Sequence, residues 1–156
     1  MSGDMIKRAL ERATDTKECI IGDGALSAVV DVFKRNFPGS GEAAIVADPR
    51  TYAAAGERVA QLLAASGIAV RRHILEPGGR IFHGDYAYVP EVKAAIAHAV
   101  PVAVGSGVVN DLTKRAAGEL GVPYMVVGTA ASVDGYSSFG AALRSPEGAK
   151  QTYPCP

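Results

Sequence analysis

The stretch "VAVGSGVVNDLTK", residues 102–114, joins a run of apolar β-formers to a helical pattern through Gly105, Ser106 and Gly107. Glycines at such a turn let the backbone approach an anion closely. The first N–H groups and the dipole of the following helix favour negative charge, so the turn has the parts of a phosphate cradle suited to a dinucleotide pyrophosphate. Asn110 stands where a GxGxxG fingerprint carries its third glycine, and a tight strand-to-helix turn without a ligand accounts for the same residues. Asp48 closes an earlier apolar run, "EAAIVAD". A carboxylate there either accepts hydrogen bonds from ribose hydroxyls or caps the next helix. Asp48 precedes the glycine turn, whereas the dinucleotide fingerprint has its acidic residue after it, so this is not the ordinary order.

A second group lies in "TAASVDGYSS", residues 129–138. Asp134, set among small residues beyond a strand, is placed to accept hydrogen bonds from substrate hydroxyls; the same letters also read as a turn, with Asp and Gly chosen for backbone geometry and Tyr136 for packing. Ser137 and Ser138 either contact a cofactor or close the loop. No GxSxG elbow supports a nucleophilic serine. Of the three histidines, His73 falls within a strand beside Arg71 and Arg72, His98 on an Ala-rich helix, and His83 in a loop with Asp85. None has a partner at metal-ligand spacing, so no metal site is expected. Cys19 and Cys155 lie far apart without a CxxC and read as free thiols.

The elements that must position these groups follow from glycines and prolines, which cut the chain into alternating β-rich and helical runs, the pattern of an α/β fold with parallel strands. Strands are expected in "EAAIVAD", "IAVRRHILEP", "VPVAVGSG" and "PYMVVGT", and "KECIIGDGAL" reads as a short strand followed by a turn. Helices are expected over "LSAVVDVFKRNF", "PRTYAAAGERVAQLLAASG", "VPEVKAAIAHA" and "VVNDLTKRAAGELG", with Pro49 near one start, Gly67 beyond one end and Gly121 at another. "GGRIFHGDY" reads as a loop, and "SPEG" as the turn of a C-terminal hairpin.

With 156 residues, 48% of them hydrophobic and 16 basic side chains balancing 16 acidic ones, the chain reads as one domain with one core. That balance offers no surface for nucleic acid. No run approaches a membrane span, and the polar N-terminus lacks an apolar signal region, so a cytoplasmic location and a small-molecule partner are expected.

Taken in order, "IIGDGAL", "AIVADPRTY", "GSGVVNDLTK", "GVPYMVVGTAASVDGYSS" and "GAKQTYP" resemble the glycerol-1-phosphate dehydrogenase branch of the superfamily that also holds iron-containing alcohol dehydrogenases, glycerol dehydrogenase and dehydroquinate synthase. The resemblance covers nearly the whole chain. It implies a three-layer Rossmann-like α/β domain with a mainly parallel sheet and a C-terminal hairpin. It also implies NAD or NADP as cofactor, with Gly105, Ser106 and Gly107 on the pyrophosphate and Asp48 on the adenosine ribose. Asn110, Asp111 and Lys114 would lie on the following helix near the cofactor; Thr129 and Ser132 would face the nicotinamide, Ser138 would contact the cofactor, and Asp134 would bind substrate. Gly128 departs from the pattern, since relatives usually carry proline there, a change that bears on the rigidity of the loop.

In this superfamily a divalent metal, often zinc in this branch, is held by an aspartate after the "TYP" segment and two histidines of a helical C-terminal domain. Residues 1–156 stop short of these, so the resemblance implies an N-terminal nucleotide-binding domain with the helical domain absent and with no catalytic or metal-ligating residue of its own. The implied reaction of the parent protein interconverts dihydroxyacetone phosphate, a phosphorylated ketone, and the phosphorylated polyol sn-glycerol 1-phosphate. A dehydroquinate-synthase-like sugar-phosphate cyclase domain and a non-catalytic nucleotide-binding module are the alternatives. The apolar surface such a domain leaves uncovered implies self-association as a homo-oligomer.

Overall fold

The computed structural model describes residues 2–76 and 82–155. Four strands, β1 (Glu42–Ala47), β2 (Ala69–Ile74), β3 (Val100–Gly105) and β4 (Met125–Gly128), form one parallel sheet in the order β2-β1-β3-β4. The parallel pairing follows from the helices between successive strands, because a strand can return in the same direction only through a crossover. The first crossover runs through the short helix α3 (Pro49–Thr51), a π-turn at Tyr52–Gly56 and α4 (Glu57–Ala65). The later ones use α5 (Val89–Ile96) and α6 (Gly107–Leu120). Helix α2 (Val29–Asn36) precedes β1 behind a 3-10 turn at Ala25–Ala28, and α1 (Ser2–Leu10) lies at the N-terminus.

The core is built in two layers by the alternation of side chains along the strands. Ala43, Ile45 and Ala47 of β1 join Val102 and Val104 of β3 against Phe33, Val59 and Leu63. Ala44, Val46 and Ala103 point the other way, against Val92, Ile96, Val109 and Leu112. All six residues of β3 are buried, as expected of a central parallel strand covered on both faces. The edge strand β2 instead carries Arg71, Arg72 and His73, charges that discourage pairing with another chain. Arg71 also donates to the Ala95 and Ala97 carbonyls at the end of α5 and to Glu42.

Gly67 and Gly121 end α4 and α6 as expected, each in the left-handed region, at φ 86° and 65°. Behind Gly121 the Val122 N–H reaches back to the Ala117 carbonyl at 3.1 Å. The hairpin also forms: β5 (Gly140–Arg144) pairs antiparallel with β6 (Lys150–Pro154), and Ala141 and Leu143 of β5 are buried in the α6 layer. The described residues contain no helix long and apolar enough to cross a membrane.

Two expectations fail. "KECII" forms no strand: residues 17–21 run without a ladder partner, leaving Ile20 43% and Ile21 71% exposed. Its β-formers fit a pleated surface, but no neighbouring strand supplies that surface among the described residues. His98 is not helical. Helix α5 stops at Ile96, and His98 takes φ 65° to turn the chain into β3. In "GGRIFHGDY", residues 78–81 lie outside the described residues; beyond them Asp85 bridges to Arg144, and Tyr86–Tyr88 is a 3-10 turn.

Candidate nucleotide site

The strand order reverses between β1 and β3, since the chain passes from β1 outward to β2 and then returns to place β3 on the other side of β1. Open α/β sheets bind ligands at the carboxyl ends of the strands flanking such a switch point. The β1–β3 register pairs Val46 with Ala103, and carrying it forward brings Asp48 beside Gly105. The two groups that the sequence holds far apart thus flank one crevice.

Their helix starts differ. Asp48 Oδ1 accepts from the Arg50 and Thr51 N–H groups at 2.8 and 3.0 Å, and Thr51 Oγ1 returns a bond to the Asp48 N–H, a complete capping box. Both cap bonds fall on one oxygen of the carboxylate, so helix cap and ribose acceptor are compatible roles. At α6 the N-cap is Ser106, in extended conformation and without a side-chain cap. The first N–H groups of this 14-residue helix therefore have no side chain on them, which is the arrangement an anion would complete. Gly105 is required by packing: a Cβ there would lie 2.5 Å from Val109 Cβ. Gly107 opens towards Val133, 3.7 Å from where its Cβ would be.

Beside this helix start is a cavity of about 360 Å³ lined by Gly107, Asp111, Asp134, Ser138, Phe139 and Thr152, among others. The hairpin thus supplies part of its wall. Asp111 Oδ2 accepts from the Ala142 N–H at 3.1 Å, and Oδ1 accepts from the Asn110 side-chain amide at 3.1 Å. Burial raises the Asp111 carboxyl above the ordinary carboxylate range, against the pull of the Ala142 N–H and of Lys114. Asp134 and Ser132 are exposed, and the Thr129 N–H extends the β3–β4 ladder to the Gly105 carbonyl at 3.0 Å.

Asn110 and Lys114 lie behind the cavity wall. Lys114 is 4% exposed, and its ammonium sits among the carbonyls of Gly135 and Ser138 at 2.9 Å each, the Ser138 hydroxyl at 3.0 Å and the Gly140 carbonyl at 3.4 Å. Its protons are committed to the 135–140 loop, and burial pulls its pKa below the usual lysine range. Asn110 accepts from the Tyr124 hydroxyl at 3.0 Å and donates to the Gly135 carbonyl at 3.4 Å. Burial pushes the Tyr124 phenol far above its usual range. The expected site residues therefore divide: Gly105, Ser106, Gly107 and Asp48 flank the crevice, Asp111, Asp134 and Ser138 line the cavity, and Asn110 and Lys114 hold the loop that carries Asp134.

Sequence reading did not single out Tyr124 or Phe139, and it gave Tyr136 only a packing role. Helical spacing and glycine patterns carry no information about which aromatic ring crosses to another element. Among the described residues no group of three or more His, Cys, Asp or Glu side chains is gathered as metal ligands would be.

An open parallel sheet covered by helices on both faces, with its strand order reversing between β1 and β3, defines the class of Rossmann-like α/β domains. The chain belongs to the iron-containing alcohol dehydrogenase family, whose description matches residues 20–156. It is 44% identical over 102 residues to the NAD(P)+ glycerol-1-phosphate dehydrogenase of Halalkalibacterium halodurans, covering 62% of this chain and 25% of that protein. It is 32% identical over 134 residues to that of Bacillus licheniformis, covering 85% and 33%. The chain thus spans about a quarter to a third of the length of these curated relatives. Among solved structures, maleylacetate reductase from Agrobacterium tumefaciens superposes with a TM-score of 0.70 at 18% identity, over 91% of this chain and 38% of that one. Glycerol dehydrogenase from Schizosaccharomyces pombe gives 0.66 at 20% identity, over 83% and 33%. These likenesses establish the Rossmann-like fold.

Proposed function

We propose that residues 1–156 are the cofactor-binding part of an NAD(P)-dependent dehydrogenase that interconverts dihydroxyacetone phosphate and sn-glycerol 1-phosphate. The observation that carries this reading is the uncapped start of α6 facing Asp48 across the β1–β3 switch point. In this reading the pyrophosphate lies on the N–H groups of Ser106, Gly107 and Val108, where backbone dipoles converge without a competing side chain. The free oxygen of Asp48 takes the adenosine ribose and disfavours a 2′-phosphate, so NAD is preferred over NADP. Thr129 and Ser132 face the nicotinamide, Ser138 closes the cavity beside it, and Asp134 holds a substrate hydroxyl. The bound nicotinamide supplies the hydride; these residues bind, orient and exclude water.

The glycerol-1-phosphate assignment is supported by the names of the most similar curated proteins. Their greater length supports a division of labour in which further protein completes the substrate and metal chemistry. Isothermal titration of residues 1–156 with NAD+, NADP+ and ADP-ribose tests the binding role. Saturable heat with NAD+ and mutual competition are expected; no heat with any of the three removes the reading.

A further inference from the structure

Gly128 ends β4 at the carboxyl edge of the sheet, and the ring of Tyr136 lies directly over it. A Cβ at position 128 would sit 2.8 Å from Tyr136 Cζ, 3.0 Å from Cε2 and 3.2 Å from the hydroxyl oxygen, closer than carbon atoms approach without displacement. The hydroxyl accepts from the Ala130 N–H at 3.3 Å and shares its single proton between the carbonyls of Ala130, at 3.0 Å, and Gly105, at 3.4 Å. One phenol thereby ties the end of β3 to the first residues after β4.

The ring has little freedom to be elsewhere, because the backbone around it is held from α6 and from Tyr124 just before β4. The Gly135 carbonyl receives Lys114, and the carbonyl of Tyr136 itself, at 3.3 Å, shares the Tyr124 hydroxyl proton with Asn110. The Gly105 carbonyl that Tyr136 touches belongs to the same planar peptide as the Ser106 N–H. Fixing the oxygen of a peptide plane fixes the direction of its N–H on the opposite side. Thr129 N–H already holds that oxygen at 3.0 Å, and Tyr136 adds a second restraint from outside the ladder.

We infer that Tyr136 is a positioning residue that sets the orientation of the glycine turn relative to the Thr129–Ser132 turn, and that position 128 is glycine to admit its ring. The inference rests on the nucleotide reading above and deepens it: it assigns to one side chain the alignment of the pyrophosphate and nicotinamide segments of the site, leaving the Asp48 end untouched. Gly128 and Tyr136 then form a matched pair, in which the glycine leaves the space that the phenol ring fills.

The test compares NAD+ with AMP, which lacks the pyrophosphate and nicotinamide, on the 156-residue chain. Tyr136→Phe keeps the ring and removes the hydroxyl; it is expected to weaken NAD+ binding about tenfold, the equivalent of one lost hydrogen bond, and to leave AMP within about twofold. Gly128→Ala is expected to give the same selective loss by displacing the ring. A double-mutant cycle supplies the readout that general destabilisation would not move: Gly128→Ala should weaken NAD+ binding in the parent and have no further effect in a Tyr136→Ala background. Unchanged NAD+ affinity in Tyr136→Phe, equal losses of NAD+ and AMP, or additive effects in the cycle would each overturn the inference while leaving nucleotide binding intact. Absence of binding by the parent chain to both ligands would overturn the nucleotide reading itself.

Discussion

Lys114 and Ser138 are joined twice across the gap between α6 and the loop after β4, the ammonium donating to both the carbonyl and the hydroxyl of the serine. A buried cation with carbonyl partners holds the loop by charge-assisted hydrogen bonds, and removing it strands those carbonyls. Lys114→Met is therefore expected to cost about 2–3 kcal/mol in urea unfolding. The pH dependence carries a sign. Burial lowers the folded pKa below its ordinary 10.5, so the unfolded chain binds this proton more tightly. The stability contributed by this titration is complete above 10.5 and is lost as pH falls through the folded value. Parent protein should gain stability over that interval relative to Lys114→Met; a pH-independent difference between the two would contradict the assignment.

Gly105 meets Val109 too closely for any side chain. Gly105→Ala should destabilise by about 1–3 kcal/mol through overpacking, and Val109→Ala in the same chain should recover part of that loss by opening the space. Thermal unfolding of the two single variants and the double variant measures it. Strictly additive losses would mean that the contact is not the reason for glycine.

Asp48 caps α3 and, in the proposed reading, also takes the ribose; different substitutions separate the two. Asp48→Ala removes the cap and should cost about 1–2 kcal/mol of stability, whereas Asp48→Ser retains a capping oxygen and should cost less. Both remove the carboxylate, so both should shift the ratio of NADP+ to NAD+ affinity upward, measured by competitive titration. A ratio unchanged in Asp48→Ser would confine Asp48 to capping.

Glu119 gathers Lys93 at 2.8 Å, Arg115 at 2.9 Å and the Tyr86 hydroxyl, linking α5, α6 and the turn before α5. Arg115 continues the link to the hairpin through the Pro154 carbonyl and the faces of Tyr86 and Tyr153. Burial raises the Glu119 pKa, but the bonds from Lys93 and Tyr86 and the charge of Arg115 outweigh it and hold the carboxyl below 4.5. Its stabilisation is present above the unfolded value and lost as pH falls through the folded one. Glu119→Gln should lower stability near neutral pH and flatten the acid limb of the stability profile, while leaving NAD+ affinity near that of the parent.

Much of the architecture was legible because periodicity and glycine placement act locally. The runs 42–48, 100–107 and 123–129 read as strands and contain β1, β3 and β4, and Gly121 marks the end of α6. "KECII" was misread because a strand exists only through a neighbour that the local pattern does not reveal. Within the candidate site, the glycine turn and Asp134 stood out by residue type. The inward course of Lys114, the capping box at Asp48 and the reach of Tyr136 to Gly105 depend on pairings of 3 to 31 residues' separation, and only the shortest of these follows a capping rule visible in sequence.

The central strand also orders the history of the molecule. β1 can pair with β2 through the crossover between them, but its other side waits for β3, which begins more than fifty residues after β1 ends. Until then the backbone groups along that side of an Ala-rich strand stay open, and the layer of Phe33, Val59 and Leu63 is only half roofed. Non-local parallel pairing makes such steps slow and exposes intermediates to association with other chains. A chain emerging from a ribosome would therefore keep a sticky half-sheet for several seconds at about 5–20 residues per second. Open strand edges and half-covered apolar layers of this kind are the surfaces that chaperones shield during synthesis.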